Sequence, residues 1–197
     1  NASFAGATLR RAAFCLSNCS NTRFDEAQLE KPNFDQANLK GSSFRTCTIK
    51  AFQMSIGNFQ GAVFDDARLF KFDHSASVWA ASSGATFRRT TIENTSIPFS
   101  RSSYEIAITK FPDVDFSEAH FSGTTFGSGD FGAALFRKAS FRQCRFTQSS
   151  RFCGADMVDC DLGDSRGVLH GGPIRRHVFR GASMAGANTS GSSAEAN

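Results

Sequence analysis

The stretch that decides the fold is RFDEAQLEKPNFDQANLKGSSFRTCTI, residues 23–49. An apolar residue recurs there at every fifth position: Phe24, Leu29, Phe34, Leu39, Phe44 and Ile49. Followed in both directions, the same spacing runs without a slip from Phe4 to Leu69. A period of five matches neither the 3.6-residue period of a helix nor the two-residue period of a strand. The chain must therefore alternate a short extended segment with a regular bend.

Small residues stand two positions before most of these apolar sites, with Pro32 and Phe52 as the exceptions. Residues two apart in an extended segment face the same side, so both face inward and the residue between them faces out. The other two positions are rich in Gly, Asp, Arg, Lys, Ser and Gln, as a solvated turn requires. A step of four units aligns the rings Phe4, Phe24, Phe44 and Phe64 in one column. The pattern predicts a solenoid with four units per coil and coils about 4.7–4.9 Å apart.

Four units share an alanine, a polar residue and a large apolar residue in that order: Ala27-Gln28-Leu29, Ala37-Asn38-Leu39, Ala119-His120-Phe121 and Ala155-Asp156-Met157. These units resemble the A-(D/N)-L-x-x motif of the pentapeptide-repeat family. The resemblance covers residues 2–71, 85–99 and 109–164. It implies an all-β fold, a right-handed quadrilateral β-helix with the small and large apolar residues inside. It implies no reaction, since members range from topoisomerase inhibitors to proteins with no assigned role.

Three breaks in the spacing predict loop insertions at about 70–84, 98–110 and 163–178. We expect them to interrupt a single β-helix domain over residues 1–189, with a flexible polar tail at 190–197. Trp79, the only Trp, falls in the first insertion, and Tyr104, the only Tyr, falls in the second. Loops on a rigid scaffold often carry recognition, and both residue types are frequent at binding hot spots. Trp79 and Tyr104 are therefore candidate partner contacts, although solenoids also tolerate insertions that have no such role.

One column of the predicted solenoid is strongly basic. Against the single acidic residue Glu30 it carries Arg10, Arg11, Lys31, Lys50, Arg68 and Lys71. The whole chain has a formal net charge of +4 and a sequence pI of about 8.9. We expect this column to bind a protein partner with an acidic surface. Direct nucleic-acid binding through the same face is a weaker alternative, because the rings are expected inside and leave no aromatic residues to stack on bases.

A DNA-mimicking topoisomerase (gyrase) inhibitor of the quinolone-resistance type is the other alternative that the resemblance implies. Those proteins have a similar length and also carry two loops. A DNA mimic should be strongly acidic, whereas this chain is basic, and its tail GANTSGSS at 186–193 contains no apolar helix for dimerisation. The favoured function is a non-catalytic interaction module or scaffold. It would stand alone or form one domain of a larger protein, such as a bacterial effector.

Cysteine use favours a reducing compartment, either the cytoplasm or, for a secreted effector, the host cytosol. Four of the six cysteines occupy predicted inward sites, where a free thiol packs as a small apolar group: Cys19, Cys47, Cys144 and Cys160. The scattered set Cys153, Cys160, His170 and His177 lacks the close pairs of a zinc site. No nucleophile elbow or Gly-rich phosphate loop appears. The sequence predicts no enzyme, metal or cofactor.

Neither a membrane span nor a cap on the first coil is expected from the sequence. No stretch of 18 or more apolar residues occurs, as a spanning helix would require. Ala2 and Phe4 already follow the repeat, which predicts a first coil without a cap, and solenoid ends normally need one.

Overall fold

The computed structural model describes residues 2–54, 57–72, 81–97, 109–111, 113–127 and 129–147, together with 152, 155, 157, 161, 162, 166 and 167. Thirteen short strands are its regular elements. In chain order they are β1 (Thr8–Arg10), β2 (Gln28–Glu30), β3 (Thr48–Lys50), β4 (Arg68–Phe70), β5 (Thr91–Glu93), β6 (Ser96–Ile97), β7 (Thr109–Lys110), β8 (His120–Ser122), β9 (Thr125–Phe126), β10 (Gly129–Asp130), β11 (Ser140–Arg142), β12 (Arg145–Phe146) and β13 (Arg166–Gly167). Within these residues no helix is long and apolar enough to cross a membrane.

All strand pairs are parallel and follow the coil. The main sheet has seven strands in the order β1-β2-β3-β4-β5-β8-β11, a second has the order β13-β12-β9-β6, and β10 pairs with β7. Thr8 pairs with Gln28 and Gln28 with Thr48, so one coil takes four units of the repeat. Isolated bridges from Ser3 to Arg23 and on to Ser43 form a further face. The predicted all-β quadrilateral β-helix with four units per coil is confirmed.

The core is a set of stacked columns of inward side chains. Ala27 and Leu29 are 0% and 2% exposed, whereas Gln28 between them is exposed. Ring centroids on the first column are 4.7–5.2 Å apart from coil to coil, a separation at which aromatic rings attract. That column is Phe4, Phe24, Phe44, Phe64, Phe87, Phe116 and Phe136. On the first coil Phe4, Leu9 and Phe14 are only partly buried.

Most of the described corners contain one residue with a positive φ. Arg11, Glu26 and Lys31 have φ of 52°, 63° and 52°, and the same conformation recurs at most of the five-residue steps in both regular blocks. This region is unfavourable for side chains other than glycine. The amides of most of these residues donate to a carbonyl one coil further on, as Lys31 N–H does to Lys50 O at 2.7 Å. The stacked neighbour therefore holds the corner in a conformation that an isolated chain would avoid.

Phe52 departs from the small-residue pattern, and its packing depends on Met54 and Gly57. Its ring stacks on Phe34 at 4.9 Å, in the column where Met54 would otherwise supply the large side chain. The Met54 side chain instead occupies the space beside Gly57, where an added Cβ would lie 2.0 Å from Met54 Cε. Phe72, at the equivalent position of the next coil, repeats the substitution, and the rings of Phe52 and Phe72 are 5.0 Å apart.

The insertions are smaller than the sequence predicted. Phe70 ends β4, Phe72 is buried at 1% exposure, and a hydrogen bond from Ala85 N–H to Ser82 O closes a regular corner, so the range 70–84 was too wide. The five-residue period does not identify Phe72 as a core residue, because its position normally holds a small residue. The described coils nonetheless lengthen here, since Arg68 pairs with Thr91, which lies further along the chain than one regular coil would reach.

The other two predicted loops also contain strands. Thr109–Lys110 is β7 and pairs with β10, so the range 98–110 ended too late. Arg166–Gly167 is β13 and pairs with β12, so the range 163–178 began too early. The pairs Thr91–His120 and Ser140–Asp161 each enclose more chain than a regular coil. Most of the second and third insertions and the tail at 190–197 lie outside the described residues.

A ladder of alternating charges runs along one corner of the coils. Asp65 and Asp115 are only 7% and 6% exposed and face arginines from neighbouring coils. The ion pairs are Arg23–Asp25 at 3.1 Å, Arg45–Asp65 at 3.5 Å and Arg88–Asp115 at 2.5 Å. Burial works to raise the pKa of Asp115, but hydrogen bonds from Ser117 and Arg88 and the charge of Arg88 outweigh it and lower that pKa. The ladder thus adds electrostatic ties between coils to the backbone bonds.

Burial of the thiols agrees with the expected inward sites as far as they are described. Cys47 and Cys144 are 0% and 1% exposed, Cys19 is 6% exposed, and Cys15 is exposed. These four are free thiols. Burial raises the pKa of Cys144 to about 12. Cys153 and Cys160 lie outside the described residues.

Gly57→Ala should destabilise the protein by about 1–3 kcal/mol, because the new methyl group overpacks the site that Met54 fills. Met54→Ala alone should also destabilise, by leaving a cavity. Combined, the two changes should cost less than their sum, and urea unfolding of the four proteins measures this coupling. Strict additivity would show that Met54 does not fill the space beside Gly57.

Asp115→Asn should lower the free energy of unfolding at pH 7 by about 1–3 kcal/mol, the usual effect of losing hydrogen bonds to a charged group. Since the folded pKa of Asp115 lies below its unfolded value of about 3.9, its contribution is present above pH 4 and lost as the pH falls further. The difference between variant and wild type should therefore shrink toward pH 3. Asp113→Asn, at an exposed corner two positions away, is the control and should change little at either pH.

Thiol labelling of the native protein, mapped by mass spectrometry, should modify Cys15 quickly and leave Cys47 and Cys144 unmodified until denaturant is added. Burial both blocks the reagent and disfavours the reactive thiolate of these two residues, by raising their thiol pKa. Rapid native labelling of Cys144 would contradict its position in the core.

Candidate interaction face

The basic residues singled out in the sequence come together on one side of the solenoid. We call the outward side of β1–β4 and the corners that follow these strands the basic face. Strand pairing sets Arg10, Glu30, Lys50 and Phe70 in one row. Arg68 begins β4, and the corner residues Arg11, Lys31 and Lys71 follow β1, β2 and β4. All six predicted basic residues thus lie on the basic face, and each is exposed.

Only one of the six has an acidic partner among the described residues. Arg10 Nε lies 2.9 Å from Glu30 Oε2, with side chains 74% and 44% exposed. Such an exposed pair stabilises the fold by little. The other five make no ion pair with any residue that the structure describes: Arg11, Lys31, Lys50, Arg68 and Lys71. The face therefore keeps most of its positive charge.

Backbone geometry fixes where these charges stand. Arg11, Lys31 and Lys71 all have φ of 52–53°, and their amides donate to the carbonyls of Glu30, Lys50 and Glu93. Lys50 and Arg68 lie on strands within the sheet. Because coils stack at about 4.8 Å, the cations form a strip on a rigid surface. Their fields consequently add over the strip rather than averaging over a flexible loop.

The corner that precedes β4 differs from the basic face, because its charged side chains form ion pairs with each other. There Arg89 donates from Nε and Nη2 to the two carboxylate oxygens of Asp66 at 2.7 and 2.8 Å. The bidentate bond lowers the pKa of Asp66 against an opposing effect of burial, and the charge of Arg89 lowers it further. Together with the Asp25–Arg45–Asp65 ladder this corner neutralises its own charges. The basic face does not.

Phe70 is the residue on this face that sequence reasoning missed. It ends β4 with a partly buried side chain in the row between Lys50 and Glu93. Lys71 Nζ lies 5.6 Å from the ring centroid, within range of a cation–π contact. Among the described phenylalanines it is the only one at an outward position. Its place directly after Leu69 was the available signal, but the range 70–84 had assigned it to a loop.

The remaining candidates lie outside the described residues. The role of Trp79 and Tyr104 as partner contacts stays a prediction. Cys153, Cys160, His170 and His177 are also outside the described residues, so the expectation that they form no zinc site stays a prediction as well. Among the described residues no group of three or more His, Cys, Asp or Glu side chains could hold a metal ion.

A family model matches part of this chain, and several solved structures are similar to it. A family model described as pentapeptide repeats matches residues 9–45 and 115–150 in eight copies. No curated protein sequence matches the chain significantly. The full-length structure of QnrB1, a plasmid-mediated fluoroquinolone resistance protein, aligns over 92% of this chain and 93% of its own at 15% identity, with a TM-score of 0.38. A trypsin-treated QnrB1 variant aligns over 92% and 90% at 16% identity, with a TM-score of 0.44.

HetL, a pentapeptide-repeat protein involved in heterocyst differentiation regulation in the cyanobacterium Nostoc sp. strain PCC 7120, aligns over 98% of this chain and 86% of its own. The identity is 15% and the TM-score 0.33. The eight matched repeats coincide with the coils whose sides bury two residues and expose one, and whose strands stack in steps of four units. Residues 9–45 and 115–150 thus contain pentapeptide repeats, and over these ranges the chain resembles the pentapeptide-repeat family.

Proposed function

We propose that this protein is a non-catalytic interaction module whose basic face receives an acidic surface of a protein partner. The observation that carries the proposal is the contrast between two neighbouring sides of the same rod. One corner pairs Asp25, Asp65, Asp66 and Asp115 with arginines, whereas five cations on the basic face have no acidic partner in the described part of the chain.

Rigidity supports the same proposal. Each coil is tied to the next by backbone bonds and ring stacking, so the face loses little conformational freedom when a partner docks. The exposed cations should act mainly by steering, which raises the association rate more than it slows dissociation. A partner needs only a carboxylate-rich patch to benefit.

The charge of the face also separates this proposal from its rivals. A DNA-mimicking gyrase inhibitor would present acidic residues along the rod, and the described basic face presents the opposite sign. Direct nucleic-acid binding would use that sign, but Glu30 and Glu93 stand in the same row as Lys50 and Phe70. The Glu93 carboxylate would repel a phosphate backbone that followed the row, whereas the charge of Glu30 is paired with Arg10.

The double reversal Lys31→Glu and Lys50→Glu should slow association with fluorescein-labelled poly-L-glutamate by about tenfold or more at low salt, because it removes attraction and adds repulsion. Stopped-flow fluorescence at about 10 mM salt, where the Debye length is about 30 Å, should show the full effect. At about 1 M salt, where that length is about 3 Å, the effect should vanish.

The matched control is the double variant Lys40→Glu and Lys138→Glu, which makes the same change in net charge away from the basic face. Lys40 is an exposed outward residue, and Lys138 has a positive φ, as Lys31 does. Its association rate should stay closer to that of the wild type. Equal slowing by both doubles would mean that only net charge matters. Inhibition of gyrase supercoiling that survives the Lys31/Lys50 reversal would replace the proposal by the quinolone-resistance alternative.

A further inference from the structure

The basic face contains an aromatic ring in a setting that no other outward position of the described chain repeats. Three cations neighbour Phe70 in different directions: Lys50 on the preceding strand, Arg68 at the start of the same strand, and Lys71 at the following corner. Lys71 Nζ is 5.6 Å from the ring centroid. All three cations are exposed, whereas the ring is partly buried and so held in place.

Such an arrangement is unusual for a surface that serves only solubility. In the described part of the chain the other phenylalanines lie at inward positions, where they fill the core. A ring fixed on an exposed sheet offers apolar contact area at little entropic cost, and aromatic and arginine side chains are frequent at interaction hot spots. The position therefore suits a ligand that presents both an apolar group and negative charge.

We infer that Phe70, with Lys50, Arg68 and Lys71, forms a pocketless docking point for a short acidic peptide segment that carries an aromatic side chain between carboxylates. The ligand's ring would contact Phe70, and its carboxylates would reach the three cations. This inference rests on the proposed function, since it names the part of the basic face that reads the partner and the chemistry that it reads.

Two carboxylates decide between a peptide and a single-stranded nucleic acid. Strand register places Glu93 of β5 beside Phe70 of β4, and Glu30 of β2 beside Lys50 of β3. An acidic residue therefore stands on each side of the patch along the rod. The three cations around Phe70 span about two coils, or about 10 Å. A short peptide can concentrate its charge within that length, whereas a phosphodiester chain that followed the rod past Phe70 would continue over the Glu93 carboxylate.

Fluorescence anisotropy can test the inference with two fluorescein-labelled peptides, Gly-Asp-Asp-Trp-Asp-Asp-Gly and the same sequence with Ala in place of Trp. Wild type should prefer the Trp peptide by about 2- to 10-fold, the range expected for one aromatic pair. Phe70→Ala should abolish this preference while leaving the salt-dependent binding of the Ala peptide in place. Phe70→Leu keeps apolar volume at the site and should also lose most of the preference.

Leu135→Ala is the matched control, because Leu135 is an outward apolar residue on another face, 40% exposed. It should retain the full preference for the Trp peptide, and circular dichroism should show the same β spectrum for all variants. Equal affinity of wild type for both peptides would overturn the role of Phe70 and leave the basic face standing. If neither peptide binds and the Lys31/Lys50 reversal leaves the association rate with poly-L-glutamate unchanged, the proposed function itself is overturned. Tighter, Phe70-dependent binding of a fluorescein-labelled ten-nucleotide oligo-dT would replace the peptide by single-stranded nucleic acid.

Discussion

The structure depends on left-handed residues at most of the described corners and on the hydrogen bonds between coils that hold them there. Without its neighbouring coil, a residue such as Glu26 or Lys31 would leave its positive φ for an ordinary conformation. With the neighbour in place, its amide donates across the gap, and the corner, the side and the next corner all fall into position. Each coil thus supplies the conformation that the adjacent coil needs. Stability is shared between neighbours, as is general for solenoids.

The same cooperation accounts for the polar surface. Since the backbone holds the corners, exposed side chains at left-handed positions need not contribute to folding and are available for other purposes. One corner uses them for mutual neutralisation, with Asp66 and Arg89 joined by two bonds. The basic face leaves Arg11, Lys31 and Lys71 without acidic partners among the described residues, although their backbone geometry is as strictly defined. Local folding requirements do not explain that difference, and an acidic partner of the kind we propose would.

Sequence reasoning recovered the repeat, the coil length and the inward columns because one period controls all three. It failed where a side chain fills a site other than the one that its position in the repeat predicts. Phe52 and Phe72 stand at repeat positions that normally hold small residues, yet their rings pack in the core. Only the packing of Met54 against Gly57 shows why the core accommodates the large ring of Phe52. Phe70 was lost for the opposite reason, since a break in periodicity hides whichever residues of the break still belong to a strand. The six cations could be assigned to one face because the position of a charge on a strand needs no packing information.

The unbroken column of rings determines how distance along the rod is set. Phe64 stacks on Phe87 at 4.7 Å and Phe87 on Phe116 at 5.1 Å, although more chain separates the members of each pair than in a regular coil. Distance along the rod is therefore counted in coils and is independent of the length of chain in each coil. An insertion can grow or shrink on its own side without moving any surface group on the others. Recognition by loops and recognition by the sheet can accordingly change separately in this protein, each without altering the spacing on which the other depends.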